Sequence, residues 1–508
     1  MNQLPLWDQA ASATRPSIRQ LSKSRVAAGL QCHKRLYFEC YAYDTRDPTD
    51  SSRQALFDAG RQVGIAARAR FPGGVAVVED HLHHDDAVRA TREAMANPDV
   101  PAVYEAAFTF DDIRVRVDIL ARAGDGAWDL VEVKSSKQVK DEYIPDIAIQ
   151  LYVVEGAGAP IREASVLHLN GDYVWEGGPY DPGLLFSIRP LTGAARAKLP
   201  KLLAQIASMR GGLWGFEPPE IAVGAHCDRP HRCPFYGTCH ANQSEHPIDT
   251  LPRMTPLLRR KLGDLGIEDI RAIPEDFDGL SKLQRRVRDC LVSGDQFLDP
   301  DLKRDLAAAP FPVHFLDFES CSLPLPVIPG TRPFQQTPFQ WSDHVLTADG
   351  RVEHREYLHD SRTDPRRALA TALVESLEGA ATIVVYSGFE ARIIRALADV
   401  HPDLGAPLLE HVGQRFVDLL HLLHSHYYHP RLRGSFSIKA VLPVVVEGLD
   451  YGDLLIRDGS QAALAFSKIT DPDIPASERE KQREGLRAYC KRDTEAMMKL
   501  FLAFREGA

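Results

Sequence analysis

The stretch "IRVRVDILARAGDGAWDLVEVKSS", residues 113–136, decides the fold of the first part of the chain. Its first half alternates apolar and polar residues and is rich in β-branched side chains, which predicts a strand. The turn "GDG" and a second strand-like run follow, so the stretch predicts a hairpin with Asp118 on one strand and Glu132 and Lys134 on the next. Because residues two apart in a strand share a face, Glu132 and Lys134 point together and Asp118 can lie beside them.

Two carboxylates and one lysine that converge in this way suit metal-assisted phosphodiester hydrolysis. The carboxylates can hold a divalent cation, Mg²⁺ or Mn²⁺, which polarises the phosphate and acidifies a water, while the lysine orients that water or stabilises developing charge. Downstream, "DIAIQLYVV" at 146–154 predicts a helix that carries Gln150. The alternative is an exposed hairpin with an ordinary Glu–Lys pair, because E-x-K alone is common. The full order of Asp strand, turn, E-x-K strand and Gln helix is much rarer.

This order of residues resembles the PD-(D/E)XK nucleases, and among them the RecB-like branch. The resemblance implies a restriction-endonuclease-like α/β core with nuclease activity, in which Asp118, Glu132, Lys134 and Gln150 are the catalytic residues. It also implies that Glu105 in "YEAAF" supplies another metal-binding acid. One feature departs from the family, because many RecB-like members have an upstream histidine that binds metal. The matching helix here, "LFDAGRQVGIAARARF", has none, which leaves the metal preference open.

Four cysteines flank this core. Cys227, Cys233 and Cys239 recur at equal spacing in "HCDRPHRCPFYGTCH", and Cys32 lies in "QCHKRLYFE" near the start of the chain. In the iron–sulfur subgroup of these nucleases, which includes the CRISPR-adaptation nucleases, one cysteine precedes the core and three follow it. The chain resembles that subgroup, which implies a [4Fe-4S] cluster on the four cysteines. Such a cluster would staple the two ends of the nuclease domain together.

Zinc is the alternative ligand for these cysteines, because four thiolates also suit a tetrahedral zinc site. The five-residue spacers between the last three cysteines are longer than the C-x2-4-C pairs typical of zinc, although His226, His231 and His240 can substitute as ligands. The sequence therefore favours iron–sulfur and keeps zinc as the second interpretation.

The last part of the chain carries a second set of carboxylates. "VHFLDFES" predicts a strand with Asp317 and Glu319 on one face, and "ATIVVYSGFEARIIRAL" predicts a strand that runs into a helix with Glu390 in its first turn. The amphipathic helix "GLRAYCKRDTEAMMKLFLAF" places Tyr489 and Asp493 four residues apart, on one face. Four carboxylates from these elements can hold two metal ions, one for the attacking water and one for the leaving oxygen, with Tyr489 orienting the water.

This second set resembles the DEDD exonucleases, which have an RNase H-like fold, in their tyrosine variant Y-x-x-x-D. The resemblance implies 3′ exonuclease activity with Asp317, Glu319 and Asp493 as metal ligands. It departs from the family at the second motif, where Asp is usual and this chain has Glu390. Asp418, in "RFVDLLHLLHSHY", is the alternative fourth acid. Since each motif alone is common, four unrelated surface acids remain the alternative to a site.

Length and composition place these motifs in a chain of roughly three domains. The chain has 508 residues and a net charge of −10, which argues against a broad nucleic-acid-coating surface but allows local basic grooves. Shifts in composition divide the chain into three pieces, 1–245, 246–308 and 309–508. The resemblances imply that the first is a RecB-like domain, the second a helical, helix-hairpin-helix-like linker and the third an RNase H-like domain. The sequence has no apolar run of about 20 residues and no signal-peptide pattern, so we expect a cytoplasmic protein without a membrane partner.

The whole arrangement resembles a family of bacterial proteins known mainly as a domain of unknown function. We expect a metal-dependent nuclease, with exonuclease activity, whose partner is DNA that is single-stranded or has free ends. DNA repair or defence against foreign DNA is the expected setting, with a helicase or another repair or defence protein as partner. An RNA 3′ end trimmer is the enzymatic alternative, and a nucleic-acid-binding scaffold with one inactive site is the non-enzymatic one.

Overall fold

The hairpin expected around Asp118 is present in a mixed α/β structure with several sheets. In this computed structural model the described residues are 20–48, 51–80, 82–124, 126–213, 215, 217–241, 243–413 and 415–507. They divide into two units. The N-terminal unit consists of the described parts of Met1–Thr49, Asp58–Gly171 and Tyr180–Ala241, and the C-terminal unit of those of Asp50–Phe57, Asp172–Pro179 and Asn242–Ala508.

Within the described residues, seven strands form the mixed sheet of the N-terminal unit. They are β1 (Leu21–Ser22), β2 (Val75–Ala76), β3 (Ala102–Phe110), β4 (Ile113–Arg122), β5 (Trp128–Lys134), β6 (Ile161–Leu169) and β7 (Phe186–Pro190). The order across the sheet is β2-β3-β4-β5-β6-β7, and β1 pairs with β4. β4 is antiparallel to both β3 and β5, whereas β5 and β6 are parallel.

The helices between residues 23 and 240 are α1 (Lys23–Gln31), α2 (His33–Tyr41), α3 (Ser51–Ala67), α4 (His84–Ala96), α5 (Tyr143–Gly156), α6 (Pro182–Leu185), α7 (Thr192–Leu213) and α8 (Tyr236–His240). Of these, α1, α4, α5 and α7 pack on the sheet, and α3 begins in a segment of the C-terminal unit. Helix α5, "YIPDIAIQLYVVEG", is apolar on nearly every side, which suits its burial, with Ile147 and Leu151 completely covered. Helix α1 begins directly after β1 because the Ser22 hydroxyl caps it by accepting a hydrogen bond from the Arg25 backbone N–H at 3.2 Å.

The described residues of the C-terminal unit form a five-stranded mixed sheet and a separate two-stranded one. The strands are β8 (Phe297–Leu298), β9 (Val313–Cys321), β10 (Thr337–Leu346), β11 (Val352–Leu358), β12 (Thr382–Val385), β13 (Phe416–Asp418) and β14 (Tyr427–Tyr428). The larger sheet has the order β11-β10-β9-β12-β13, and β8 pairs with β14. The first three strands of the larger sheet are antiparallel, and β12 is parallel to both β9 and β13.

The helices of the C-terminal unit include those of the predicted linker. They are α9 (Pro256–Asp264), α10 (Lys282–Ser293), α11 (Pro300–Ala307), α12 (Arg366–Ser376), α13 (Phe389–Val400), α14 (Gly405–His411), α15 (Leu419–His426), α16 (Ile438–Val445), α17 (Gly459–Ile469) and α18 (Ala476–Glu506). Segment 246–308 shares one hydrophobic core with β9 and α18, because Leu262 and Leu302 are buried in the same cluster as Phe315 and Phe501. None of the helices in the described part of the chain is long and apolar enough to cross a membrane.

Strand β9 faces two different layers, because successive side chains of a strand point to opposite faces. Leu316 and Phe318 are buried with the apolar side chains of α12 and α13, whereas Phe315 is buried with those of α18. Asp317 and Glu319 follow Phe315 at steps of two, so they share its face. The strand therefore presents both carboxylates on the side of the sheet where α18 packs.

Candidate active sites and cysteine cluster

The predicted acids and lysine of the N-terminal unit lie together on β4, β5 and α5. The Asp118 carboxylate accepts a hydrogen bond from the Val133 backbone N–H at 2.7 Å. The ammonium group of Lys134 donates to Oε1 of Glu132 at 2.9 Å, and the amide of Gln150 donates to the other oxygen, Oε2, at 2.9 Å. We call Asp118, Glu132, Lys134 and Gln150 the N-terminal acidic site.

Two further residues complete this site, and the sequence analysis missed both. Lys23, at the start of α1, donates to both carboxylate oxygens of Glu132, at 2.8 and 3.0 Å. Asp146 accepts a hydrogen bond from Lys134 at 2.7 Å. Asp146 had a local signal, because it lies one helical turn before Gln150 on α5. Lys23 had none, since it is 109 positions away from Glu132 in the chain.

The two carboxylates of this site differ strongly in their affinity for protons. Burial alone would raise the pKa of Glu132, but the ammonium groups of Lys23 and Lys134 lower it to about 2. Burial and the neighbouring Glu132 carboxylate raise the pKa of Asp118 to about 7. Perturbed pairs of this kind are typical of functional sites. The N-terminal acidic site thus holds Glu132 ionised and Asp118 close to its midpoint at neutral pH.

Glu105 flanks Asp118 across the β3–β4 pairing. Its two neighbours on β3 pair with the two neighbours of Asp118 on β4, so Glu105 lies opposite Asp118. Its φ of 57° is left-handed, which a non-glycine residue adopts only at a cost. Its carboxylate lies 3.5 Å from the Arg68 guanidinium. A strained acid opposite Asp118 is the kind of local backbone strain found at functional sites.

A groove of about 1020 Å³ with a strong positive charge adjoins the N-terminal acidic site. Its acidic lining residues are Glu39 and Asp112, which are outnumbered by the cations. Tyr43, which is 57% exposed, also lines it, and the Arg46 guanidinium lies 4.9 Å from the centre of its ring. Lys23 belongs both to the groove and to the acidic site. We call this feature the basic groove, whose cations are Lys23, Arg25, Arg35, Arg46, Arg114 and Arg116.

The four cysteines predicted to bind a cluster line one small cavity. Cys32 lies between α1 and α2, Cys227 ends a 3₁₀ turn, and Cys239 lies in α8. The Cys233 backbone N–H donates to the Cys227 carbonyl at 2.6 Å, which folds the loop back on itself. None of the four forms a disulfide, and burial raises the pKa of Cys239 to about 11. Four thiols around one cavity are a donor set that fits a thiolate-bound iron–sulfur cluster.

The three histidines proposed as zinc ligands are placed differently from one another. His226 lines the cysteine cavity, and its Nε2 lies 3.7 Å from Sγ of Cys227. His240 pairs its Nδ1 with the Tyr236 carbonyl at 2.8 Å and stacks on the Tyr236 ring. The backbone carbonyl of His231 accepts a hydrogen bond from a side chain of α1. The structure therefore brings one histidine, His226, to the cysteines.

Helix α1 connects the cysteine cavity to the N-terminal acidic site. Lys23 at its first position binds Glu132, and Cys32 follows its last residue, Gln31. The Gln31 amide donates to the His226 carbonyl at 2.6 Å and to the His231 carbonyl at 2.8 Å. A nine-residue helix thus has one end on the Glu132 carboxylate and the other on the cysteine loop.

In the C-terminal unit, all the predicted site residues line one cavity of about 870 Å³. We call Asp317, Glu319, Glu390, Tyr489 and Asp493 the C-terminal acidic site; they come from β9, α13 and α18.

Two side chains that the sequence did not single out as ligands contact this site. The Tyr451 hydroxyl donates to Oδ1 of Asp493 at 2.5 Å, and the Lys439 ammonium donates to the Tyr489 hydroxyl at 3.1 Å. Tyr451 had no local signal in the sequence. Both hold the groups of α18 in place.

Glu390 and Asp418, the two alternatives for the fourth acid, have different environments. Glu390 is 3% exposed, lines the cavity, and has no hydrogen-bond partner on Oε2. Asp418 is the N-cap of α15 and accepts a hydrogen bond from the His421 backbone N–H at 2.9 Å. The structure therefore gives Asp418 a local capping function, which suffices to explain its position, and leaves an oxygen of Glu390 without a partner.

Crowding raises the proton affinity of every acid in the C-terminal acidic site. Burial, together with the charge of Asp493, raises the pKa of Asp317 and of Glu319 well above the usual range. Burial raises the pKa of Asp493 to about 6, although hydrogen bonding from Tyr451 opposes the shift. Burial and the charge of Asp418 raise the pKa of Glu390 to about 8. Crowded acids with an unpartnered buried oxygen fit a divalent cation, which would compensate their charge.

Buried polar contacts hold α18 against β10 behind this site. Ser342, which pairs across the sheet with Asp317, lies 2.9 Å from the Thr494 hydroxyl. Nδ1 of His344 lies 2.7 Å from the same hydroxyl. Because buried polar groups of this kind are strongly constrained by their partners, these two contacts fix the rotation of α18 about its axis and its position along β10. They thereby position Asp493 opposite Asp317.

Comparison with protein families finds one match. Residues 314–437 match the family model of a domain of unknown function (DUF2779). The matched segment includes Asp317, Glu319, Glu390 and Asp418, and it ends before α18. No curated protein matches the chain.

Two solved structures were compared with this chain. The crystal structure of SSO0001 is 13% identical with a TM-score of 0.20, over 47% of this chain and 93% of that chain. The family B DNA polymerase from the hyperthermophilic archaeon Pyrobaculum calidifontis is 13% identical with a TM-score of 0.25, over 76% of this chain and 43% of the polymerase. At these TM-scores neither structure supports an assignment of fold or function.

Proposed function

We propose that the protein is a metal-dependent nuclease that hydrolyses phosphodiester bonds of DNA at two active sites. The observation that carries this proposal is the position of Lys23, which lines the basic groove and binds Glu132 in the N-terminal acidic site. A positive groove attracts a phosphate backbone without regard to sequence. A backbone that follows this groove would reach the acids and lysine suited to phosphodiester hydrolysis.

In the N-terminal acidic site, the residues divide the work by their charges. Asp118, Glu132 and Glu105 would hold Mg²⁺ or Mn²⁺, which when bound polarises the phosphate and lowers the pKa of a water. Lys134 lies between Glu132 and Asp146 and is held in its charged form, since those carboxylates raise its pKa despite burial. Its ammonium group can stabilise negative charge that develops on the phosphate. This arrangement supports the PD-(D/E)XK interpretation of the N-terminal unit.

In the C-terminal acidic site, Asp317, Glu319, Glu390 and Asp493 would hold two divalent cations. A mixed sheet with β9 at its centre, carrying two of these acids, is the arrangement expected of an RNase H-like domain. The hydroxyl of Tyr489, held by Lys439, is placed at the cavity where it can orient an attacking water. This site would trim 3′ ends.

We propose further that Cys32, Cys227, Cys233 and Cys239 hold a [4Fe-4S] cluster. When bound, it supplies a covalent link between the start and the end of the N-terminal unit. The Gln31 side chain already contacts the cysteine loop through two hydrogen bonds, which hold Cys32 and the loop near each other. Because cluster binding requires all four thiolates, it would couple to folding of this unit.

The nuclease proposal is tested by digestion of end-labelled single- and double-stranded DNA and RNA with anaerobically purified protein and Mg²⁺ or Mn²⁺. Wild type, Lys134→Ala, Asp317→Asn and the double variant are compared on each substrate. We expect the wild type to cleave DNA and the double variant to show no cleavage. Preference for RNA 3′ ends would replace DNA by RNA as substrate, and binding without cleavage by any form would leave the scaffold as the correct description.

The cluster proposal is tested by iron and zinc analysis and by visible absorbance. We expect brown protein with broad absorbance, which Cys32→Ser loses together with its iron. Cys40→Ser is the matched control, because Cys40 lies on the neighbouring helix α2 and outside the cavity. Stoichiometric zinc without iron after anaerobic preparation would favour the zinc interpretation instead.

A further inference from the structure

The C-terminal acidic site contains a thiol among its carboxylates. Cys490 lies on α18 between Tyr489 and Asp493 and is completely buried. Its Sγ is 3.7 Å from Oδ2 of Asp317 and 3.9 Å from the Asp317 carbonyl oxygen. In a site of hard oxygen ligands, this is the one soft donor among the described residues that contact Asp317.

Three potential ligand atoms are close enough to share one ion. Sγ of Cys490 and one carboxylate oxygen each from Asp317 and Glu319 all lie within 4.8 Å of one another. Tetrahedral zinc ligands at bond lengths of about 2.0–2.3 Å lie about 3.3–3.8 Å from one another. The 3.7 Å between Sγ of Cys490 and Oδ2 of Asp317 falls within that range. The three atoms come from β9 and α18, so the packing of the helix on the sheet assembles the group.

A second observation points independently to a cation at this position. Oε2 of Glu390 has no hydrogen-bond partner although the side chain is 3% exposed, and Glu390 lines the same cavity as Asp317 and Glu319. A buried, unpartnered carboxylate oxygen is unfavourable unless a ligand satisfies it. The cavity lined by Asp317 and Glu319 therefore contains a further buried carboxylate oxygen that a bound cation would satisfy.

We propose that Asp317, Glu319 and Cys490 form a site for a thiophilic divalent cation of the Zn²⁺ class, which competes there with Mg²⁺ or Mn²⁺. Mg²⁺ prefers oxygen ligands and gains little from sulfur, whereas a thiolate selects for zinc and related metals. As the metal–sulfur bond forms, the thiol proton leaves to solvent. This proposal deepens the proposed function by assigning it a metal inhibitor, but binding itself does not depend on nuclease activity.

The proposal is tested by titrating the full-length protein with Cd²⁺ and with Co²⁺, whose bonds to thiolates absorb in the ultraviolet and near-ultraviolet. Wild type is compared with Cys490→Ser, and Cys290→Ser is the control, since Cys290 is a buried cysteine on α10 outside the site. The four-cysteine loop is the same in all three, so the difference spectrum isolates Cys490. We expect Cys490→Ser to lose one thiolate-binding equivalent and Asp317→Asn to weaken it.

The expected loss of Cd²⁺ affinity at this site in Cys490→Ser is at least the roughly 10–100-fold that removal of an outer partner costs a metal site. Cys490→Ala repeats the test if the serine variant does not fold. Titrations of wild type and both variants that superimpose would overturn the proposal. In parallel, stoichiometric Zn²⁺ in excess Mg²⁺ should inhibit 3′ trimming by wild type but not by Cys490→Ser. Absence of trimming in all proteins, with the thiolate band present, would reject the nuclease proposal alone.

Discussion

The two acidic sites of this chain balance their charge in different ways. In the N-terminal acidic site, Glu132 lies within 3.0 Å of the ammonium groups of Lys23 and Lys134, and its pKa falls to about 2 because these outweigh its burial. In the C-terminal acidic site, Lys439 donates to a tyrosine hydroxyl, and burial raises the pKa of Glu390 to about 8. In the first site two ammonium groups outweigh the burial of Glu132, whereas in the second the nearby charge of Lys439 does not outweigh the burial of Glu319 and Asp493.

This difference indicates how each site would take up a cation. At the N-terminal acidic site a cation would compete with the ammonium group of Lys23 for Glu132. At the C-terminal acidic site the raised pKa values mean that a cation would displace protons from the acids. Cation binding at the N-terminal acidic site thus depends on competition with Lys23, whereas at the C-terminal acidic site it depends on pH.

The largest expected effect separates the two activities. Lys134→Ala should lower cleavage by the N-terminal site by about 10²–10³-fold or more, the range for loss of one charge-stabilising group, and leave 3′ trimming intact. Asp317→Asn should do the reverse, by several orders of magnitude, since metal ions supply much of the charge stabilisation. Single-turnover assays on end-labelled and on blocked-end DNA measure each activity separately. Loss of both activities from one change, in a folded protein, would contradict independent sites.

The next effect concerns the fourth acid of the C-terminal site. Glu390→Gln keeps the shape but removes the charge, and we expect 3′ trimming to fall about 10²-fold, as for loss of one stabilising group. Glu390→Asp should stay within about tenfold of wild type, because a carboxylate is retained. Asp418→Asn is the matched control, since Asn caps a helix as well as Asp does and should have little effect. Full activity in Glu390→Gln with an inactive Asp418→Asn would show that the wrong acid was chosen.

A smaller effect is expected at Lys23, which links groove and site. Lys23→Met removes the competitor for Glu132, so Mn²⁺ should bind the N-terminal acidic site about tenfold more tightly, which corresponds to about 1.4 kcal/mol. The same change should make the slope of log K against log salt concentration for single-stranded DNA binding less steep by about 0.7, the contribution of one phosphate contact. Lys201→Met, an exposed lysine on α7, is the control. Unchanged Mn²⁺ affinity would mean that Lys23 does not occupy the cation position.

The smallest effect is a pH dependence of stability caused by the raised pKa values of the C-terminal acidic site. Because the pKa values of Glu390 and Asp493 are raised on folding, to about 8 and about 6, their contribution to stability is complete below about pH 4 and is lost as pH rises towards 8. Chelator-treated protein should therefore show a Tm for the C-terminal unit that falls between pH 5 and 8, by about 2–4 °C for each kcal/mol lost.

Two comparisons sharpen this pH prediction. Mn²⁺ should flatten or reverse the fall, and Glu390→Gln should reduce it, because that variant has no proton to lose at this position. The lowered pKa of Glu132 acts in the opposite direction, since its contribution is kept above about pH 4.5 and is lost only as pH falls towards 2. A Tm that rises steadily from pH 5 to 8 without metal would contradict the charge crowding inferred for the C-terminal acidic site.

Local periodicity was sufficient to find the residues of each site that lie on one element or on neighbouring strands. A period of two places Glu132 beside Lys134, and a short turn returns the chain beside Asp118, so the hairpin brings these three together. A separation of four on a helix does the same for Tyr489 and Asp493. Such contacts depend on backbone geometry alone, and any sequence with this pattern repeats them.

Other residues of the two sites could not be predicted from the sequence. Lys23 meets Glu132 only because β1 pairs with β4 and sets the start of α1. Tyr451 reaches Asp493 from a loop 42 positions away. Neither contact leaves a periodic signal, since the distance between two elements depends on the packing of all the elements between them.

The sequence by itself determined which residues are predicted to carry chemistry: the paired acids, the lysine of E-x-K, the four cysteines and the tyrosine four residues before the last acid. The tertiary structure decided how these residues are charged and what else joins them. It gave Glu132 two ammonium partners, left an oxygen of Glu390 without a partner, and placed the thiol of Cys490 beside Asp317. The physical reason is that burial and neighbouring charge set the state of an ionisable group, and both arise only when distant segments pack together.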